Sequence, residues 1–189
     1  MKIANNIINL TVVALAIVSV FSKTTGVSLT QPLSLQKKPV KSESDIKIEL
    51  FPKDFIRQQE GTTAYEFSGM VRFKVVATNT TSAPLRVRRL HLYYQNRPQL
   101  FKGDRLISYR DEITKLINLR DTDPTFVRMG SSKSLSPGVQ TDLDILNLSD
   151  WYGTLQPGTY RITNRHRFDI GGQWSLISNE VHFVVLAPQ

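Results

Sequence analysis

The 189-residue chain contains no cysteine, which removes disulfides, thiolate nucleophiles, cysteine-held zinc and any lipid that must be attached through sulfur. Histidine is scarce: His91, His166 and His182 are the three present, and their spacing is not that of a metal site. No Gly-x-Ser-x-Gly elbow occurs, although serine, histidine and aspartate are all present. Gly171-Gly172 is not followed by the Lys-Ser/Thr and helix that a phosphate-binding loop requires. Asp142 and Asp144, two apart on an expected strand, share a face and read as solvated rather than as a paired acid and base. Asp121 and Asp123 read as turn residues. These absences point away from an enzyme and imply neither a cofactor nor a metal.

Positive charge, by contrast, is abundant. Lysine and arginine number 24 against 16 acidic residues, a net charge of +8. Lys2 precedes an almost uncharged run from Ile7 to Ser22, which matches the basic start and apolar centre of a secretory signal. Val20 and Ser22 are the small-residue pair that places a cut before Lys23. The alternative, an uncleaved anchor, is weakened because the run is shorter than the roughly 20 residues a spanning helix needs, so no stable membrane span is expected after cleavage. Removing residues 1–22 lowers the basic total from 24 to 23 and leaves +7. Export without cysteine favours a secreted or periplasmic protein of a bacterial envelope. An anionic partner then suits the charge, and for an exported protein that means an acidic glycan, another envelope component or an acidic protein rather than nucleic acid. Asn79-Thr80-Thr81 and Asn147-Leu148-Ser149 are formal glycosylation acceptors of little diagnostic weight.

Residues 23–45 are polar, hold two prolines and show no apolar period, so they read as a flexible tether to a domain over 46–187. Alternation over Ile46–Phe51 predicts strand A, with Pro52 as its stop, and Met70–Thr78 predicts strand B with Val71, Phe73, Val75 and Ala77 inward. Leu85–Tyr94 predicts strand C, with a bulge near Arg88 and Arg89 where the apolar parity slips. Lys102-Gly103-Asp104 predicts a hairpin turn, and Ile113, Leu116 and Ile117 have helical spacing over one or two turns before Asp121-Thr-Asp-Pro124. Strand E is expected to turn Leu143 and Ile145 inward, and Ser149 to cap a helical turn carrying Trp151 and Tyr152. Thr159–Phe168 then predicts strand F, Gly171-Gly172 a turn, and Ser178–Val185 strand G with Val181, Phe183 and Val185 inward.

Two Leu-x-Pro-Gly turns, at Leu135 and Leu155, precede strands E and F, and the second continues as Thr-Tyr160-Arg-Ile. Proline fixes one backbone dihedral and glycine permits a positive one, so each pair starts a strand in a defined direction. Tyr160 then resembles the tyrosine corner near the start of strand F in Greek-key sandwiches. Together with Trp151-Tyr152 and Ser-Asn-Glu-Val181-His-Phe-Val-Val, residues 135–185 resemble the second half of immunoglobulin-like (fibronectin III-like) domains of secreted bacterial proteins, including accessory domains beside secreted proteases. The resemblance implies an all-β, Greek-key β-sandwich of about seven strands. It implies a fold and carries no activity with it.

Three places could carry function. Arg86 and Arg88 on strand C, with Arg161, Arg165 and Arg167 on strand F, would project from one sheet face as a binding surface for an anionic partner or as a solvated face. Thr80, Thr81, Gly171, Gly172, Gln173 and Trp174 would form a second surface at the loops joining B to C and F to G. Immunoglobulin-like protease inhibitors work through that end, which makes inhibition through the FG loop the alternative function. Third, Asn164 and His166 share the inward parity of Tyr160, Ile162 and Phe168, so they read as a satisfied buried pair or as a site in which His166 acts as proton donor or ligand.

Overall fold

A computed structural model describes residues 45–59, 62–67, 69–123, 125, 130–169 and 171–188. The expected signal peptide and nearly all of the tether fall outside these residues. In chain order the first strands are β1 (Ile46–Lys53), β2 (Arg57–Gln59), β3 (Thr62–Tyr65), β4 (Arg72–Asn79) and β5 (Leu85–Arg88). Helix α1 (Leu92–Gln95), β6 (Gln99–Lys102), β7 (Arg105–Leu106) and helix α2 (Asp111–Thr122) follow. The chain continues through β8 (Ser132–Leu135), β9 (Gln140–Asn147), α3 (Leu148–Tyr152), β10 (Gly158–Thr163) and β11 (Val181–Val185). The described residues are thus mostly β, in three sheets ordered β1-β4-β9, β2-β3-β11-β10-β6-β7 and β5-β8. Pairing is antiparallel throughout except between β3 and β11, which run parallel.

Side-chain alternation explains why the two larger sheets pack together. Ile46, Ile48 and Leu50 of β1 and Phe73, Val75 and Ala77 of β4 are buried, as are Tyr160 and Ile162 of β10 and Val181, Phe183 and Val185 of β11. All belong to one apolar cluster. Phe73 meets Phe183 across the sheets with ring centroids 5.4 Å apart, and Tyr160 stacks on Phe183 at the same distance. Burying rings of this size removes large apolar areas from water, which suits a core with no covalent staple. Gly103 and Gly138 take φ of +57° and +68°, the left-handed backbone that the Lys102–Asp104 hairpin and the first Leu-x-Pro-Gly turn need. The Tyr160 hydroxyl donates to the Gln156 carbonyl at 2.6 Å, tying β10 to the turn before it.

Several expectations about elements change, among them Pro52 as the stop of the first strand, since β1 runs on to Lys53. The chain over Leu85–Tyr94 is not one bulged strand: β5 ends at Arg88 and α1 starts at Leu92, with His91 Nδ1 accepting from the Tyr93 N–H. The parity slip is therefore a strand end. Gln95 holds it there, donating to the carbonyls of Arg88 and Arg167 and accepting from the Leu90 N–H. On β9, Val75 lies opposite Asp144 and Val76 opposite Asp142, so Leu143 is an extra residue in the ladder. Leu143 and Leu146 consequently face the core and Ile145 faces out, 48% exposed. The same irregularity separates the two aspartates, leaving Asp142 exposed and turning Asp144 inward to 13% side-chain exposure. Finally, α2 has twelve residues rather than one or two turns. Asp111 and Glu112 in its first turn and Arg120 in its last suit the helix dipole, and Ile113 and Ile117 anchor it. Asn147, not Ser149, occupies the capping position of α3. Trp151, on that helix, is fully buried between the rings of Tyr93 and Tyr109.

Candidate functional site

Beyond Thr163 the chain leaves the regular ladder but keeps a strand's alternation. Asn164, His166 and Phe168 are buried, whereas Arg165 and Arg167 point away from the core. Residues 95–97 flank this segment on one side through Arg97 N–H to Arg165 O (3.0 Å) and Arg167 N–H to Gln95 O (2.7 Å). Trp174 and Ser175 flank it on the other: Arg167 bridges Trp174, and the Ser175 N–H donates to His166 O at 2.8 Å. Two groups of side chains result, one beneath the segment and one above it.

The inner group is polar and closed. Asn96 is its hub: its Oδ1 accepts from Asn164 Nδ2 at 2.9 Å and lies 3.0 Å from His166 Nδ1, and its Nδ2 donates to Asp144 Oδ2 at 3.0 Å. Asn164 Oδ1 accepts from the Arg97 N–H, while the hydroxyls of Ser178 and Ser175 accept from the N–H groups of Asn164 and His166. An amide oxygen opposite Nδ1 requires the proton on that nitrogen. Burial holds the His166 pKa down to about 4, against the smaller opposing pull of the Asp144 carboxylate, so at neutral pH the ring is an uncharged donor. This describes a satisfied network, with His166 bound into the core rather than presented to solvent.

The outer group is cationic and aromatic. The Arg97 guanidinium lies 4.7 Å from the Trp174 ring centroid, and that of Arg167 lies 4.1 Å from Trp174 and 4.5 Å from Tyr94. Both arginines reach one carboxylate at the end of α2: Arg97 Nη2 is 2.7 Å from Asp121 Oδ2, and Arg167 Nη1 is 3.3 Å from Asp121 Oδ1. Arg97 also caps α1, its Nη1 donating to the carbonyls of Tyr93 at 2.6 Å and Asn96 at 2.8 Å. Arg167 Nε is buried and has no acceptor among the described residues. Two cations around one anion leave a net positive charge, and exposed Arg165 stands next to them.

The other arginines are distributed differently. Strand β5 pairs with β8 and not with β10, whose partners are β6 and β11, so Arg86 and Arg88 stand on a separate ribbon. Arg86 Nε donates to Ser132 Oγ at 2.6 Å, and Arg88 lies 3.4 Å from Asp169. Arg161 pairs with Glu180 at 2.8 Å and covers the Phe101 ring. The loop residues are likewise anchored apart. Thr80 N–H donates to Asp45 O, and both the N–H and the hydroxyl of Thr81 donate to Asn79 Oδ1. Gly171, at φ +67°, donates to the Tyr94 hydroxyl at 2.8 Å, and the Gly172 N–H donates to Asp169 O, leaving Gln173 exposed ahead of half-buried Trp174.

No protein-family model matches the chain, and no curated protein matches it. Among the described residues no three acidic or histidine side chains gather where they could hold a metal ion, and no helix is long and apolar enough to cross a membrane. Of the residues singled out by sequence, Arg165, Arg167, Gly171 and Trp174 come together at the outer group. Arg97, Tyr94 and Asp121 complete it and carried no such signal when read as a strand flank and a turn. One signal was present for Asp121. It follows Ile113 and Ile117 at intervals of four, so it falls on the same side of the helix as they do, at the exposed end.

Proposed function

We propose that the chain is an exported, non-catalytic binding or envelope accessory protein that engages an anionic partner through the basic surface around Arg165 and Arg167. The observation that carries this reading is the pair of guanidiniums, Arg97 and Arg167, stacked on Trp174 around a single carboxylate with Arg165 exposed beside them. A partner would be an acidic protein or an acidic glycan of a bacterial envelope, met in the periplasm or outside the cell. The fold assigned to it is an immunoglobulin-like Greek-key sandwich. Supporting that assignment, β1-β4-β9 reads as A-B-E and β6-β10-β11 as C-F-G, with β6 in the place expected of Leu85–Tyr94, and the Tyr160 to Gln156 bond has the sense a tyrosine corner requires. The β5-β8 ribbon stands outside that scheme.

The test is capture from an envelope extract by the purified chain, washed at low and high salt. Capture that falls at high salt and falls several-fold in Arg165→Ser supports the reading, because exposed ion pairs are screened by salt. Capture indifferent to both overturns it. Arg165 is the clean position, since replacing Arg167 would also strip Trp174 and Tyr94 of their cover.

A second reading, protease inhibition through the loop after β10, draws on one observation. Leu176 and Ile177 are 60% and 53% exposed just beyond Gln173 and Trp174, apolar side chains of the kind an active-site cleft accepts. A panel of secreted proteases assayed with the parent and with Leu176→Ser/Ile177→Ser decides it: inhibition lost in the variant supports the reading, and a parent that inhibits none removes it.

A further inference from the structure

We infer that Asp121 is a built-in competitor: the clamp formed by Arg97, Trp174 and Arg167 takes an acidic side chain from a protein partner, and the end of α2 occupies the clamp until that side chain displaces it. This inference rests on the anion-binding reading and adds to it both the ligand class and the regulation.

The clamp is built independently of the carboxylate it holds. Arg97 is fixed by the Tyr93 and Asn96 carbonyls and by Trp174, and Arg167 by Tyr94 and Trp174. A surface ion pair normally has two mobile ends and little net worth, because ordering both side chains costs entropy. Here the cationic end is ordered already, so a carboxylate arriving from outside meets donors that need no rearrangement. The present occupant does not exhaust them. Each arginine gives Asp121 one nitrogen, at 2.7 and 3.3 Å, so neither guanidinium makes a paired contact with it. A guanidinium engages a carboxylate best through two parallel bonds.

Asp121 is also placed where it can leave. It lies in the last turn of α2, whose buried anchors Ile113 and Ile117 are four or more residues upstream, and its side chain is 36% exposed. Helix ends fray before helix centres. The ligand class follows from the same geometry. The position accommodates a carboxylate on one methylene, which is an aspartate side chain, and a glutamate adds one more. The faces of Trp174 and Tyr94 carry guanidiniums, so the stacking surface that a sugar ring prefers is taken. An acidic protein segment therefore fits better than an acidic glycan. An occupied clamp lowers the apparent affinity by the fraction of time Asp121 is absent from it.

The experiment uses the full chain and fluorescein-labelled decaglutamate, followed by anisotropy at low salt. Asp121→Asn is expected to bind about tenfold more tightly than the parent, a change of about 1.4 kcal/mol. Asp142→Asn serves as the charge-matched control, since it frees Lys74 on the β1-β4-β9 sheet, and is expected to gain no more than about twofold. Adding Arg97→Gln to Asp121→Asn should return the affinity to the parent's. Equal gains in Asp121→Asn and Asp142→Asn overturn the inference, and so does a gain for polygalacturonate without one for decaglutamate. Binding that weakens in Arg165→Ser without any gain in Asp121→Asn overturns the inference and leaves the anion-binding surface standing; binding by none of the variants overturns both. Should Asp121→Asn fail to fold, the parent still decides. Saturating decaglutamate must shift the Trp174 indole N–H resonance and spare that of Trp151, and an unshifted Trp174 overturns the inference.

Discussion

His166 is 2% exposed and meets an amide oxygen through its Nδ1, so protonating it means placing a cation in the core. Its pKa of about 4 in the folded chain lies below the ordinary value of 6.5. The unfolded chain therefore binds the proton first as pH falls. The stability that neutral His166 contributes is complete above about pH 6.5 and is lost as pH drops from there towards 4, by on the order of 3 kcal/mol. Urea unfolding at pH 7, 5.5 and 4.5 should show the parent losing more stability than His166→Gln over that window, and identical slopes would refute the assignment. Asn79 gives a second lesson at this scale. It forms part of an Asn-x-Thr triplet, yet it is fully buried and its Nδ2 donates to the carbonyls of Ala83 and Leu135. A glycosylation triplet describes three side chains, whereas acceptance of a glycan depends on exposure that only the fold supplies.

Among the elements, one side chain adds a backbone-like contact to the join between the two larger sheets. Asn179 accepts from the Leu50 N–H at 2.7 Å and donates to the Leu50 carbonyl at 3.1 Å, imitating a ladder partner for β1 just before β11 begins. Leu50 is itself buried, so both backbone groups would lose their partner in Asn179→Ala. A loss of about 1 to 3 kcal/mol in urea unfolding is expected, and a change below about 0.5 kcal/mol would show that water replaces the amide at no cost. Elements whose partners lie in the pattern itself were legible: the inward residues of β4 and β11 and the Lys102–Asp104 hairpin follow from alternation and turn chemistry alone. Those decided by distant groups were not. The end of β5 depends on Gln95, and the phase of β9 depends on a ladder irregularity opposite Val75 and Val76, neither of which leaves a mark on local periodicity.

For the molecule as a whole, a net charge of +8 draws anions to any face, and local geometry decides where they stay. Arg86→Ser and Arg165→Ser remove the same charge from different places, the first from the β5-β8 ribbon and the second from beside the Arg97–Trp174–Arg167 stack. Affinity for an anionic partner should fall several-fold more in the second, measured at one salt concentration; equal losses would mean that bulk charge is responsible. Half of this site was legible in the sequence. Arg165, Arg167 and Trp174 stand out by residue type and parity, but Arg97 and Asp121 join them only through the docking of α1 and α2, which no local pattern encodes. The pairing of β3 with β11 has a further, mechanical meaning. Because the two strands run parallel, tension applied to the chain upstream of one and downstream of the other loads the bonds from Thr63 opposite Phe183 to Tyr65 opposite Val185 together, in shear, instead of opening them one after another.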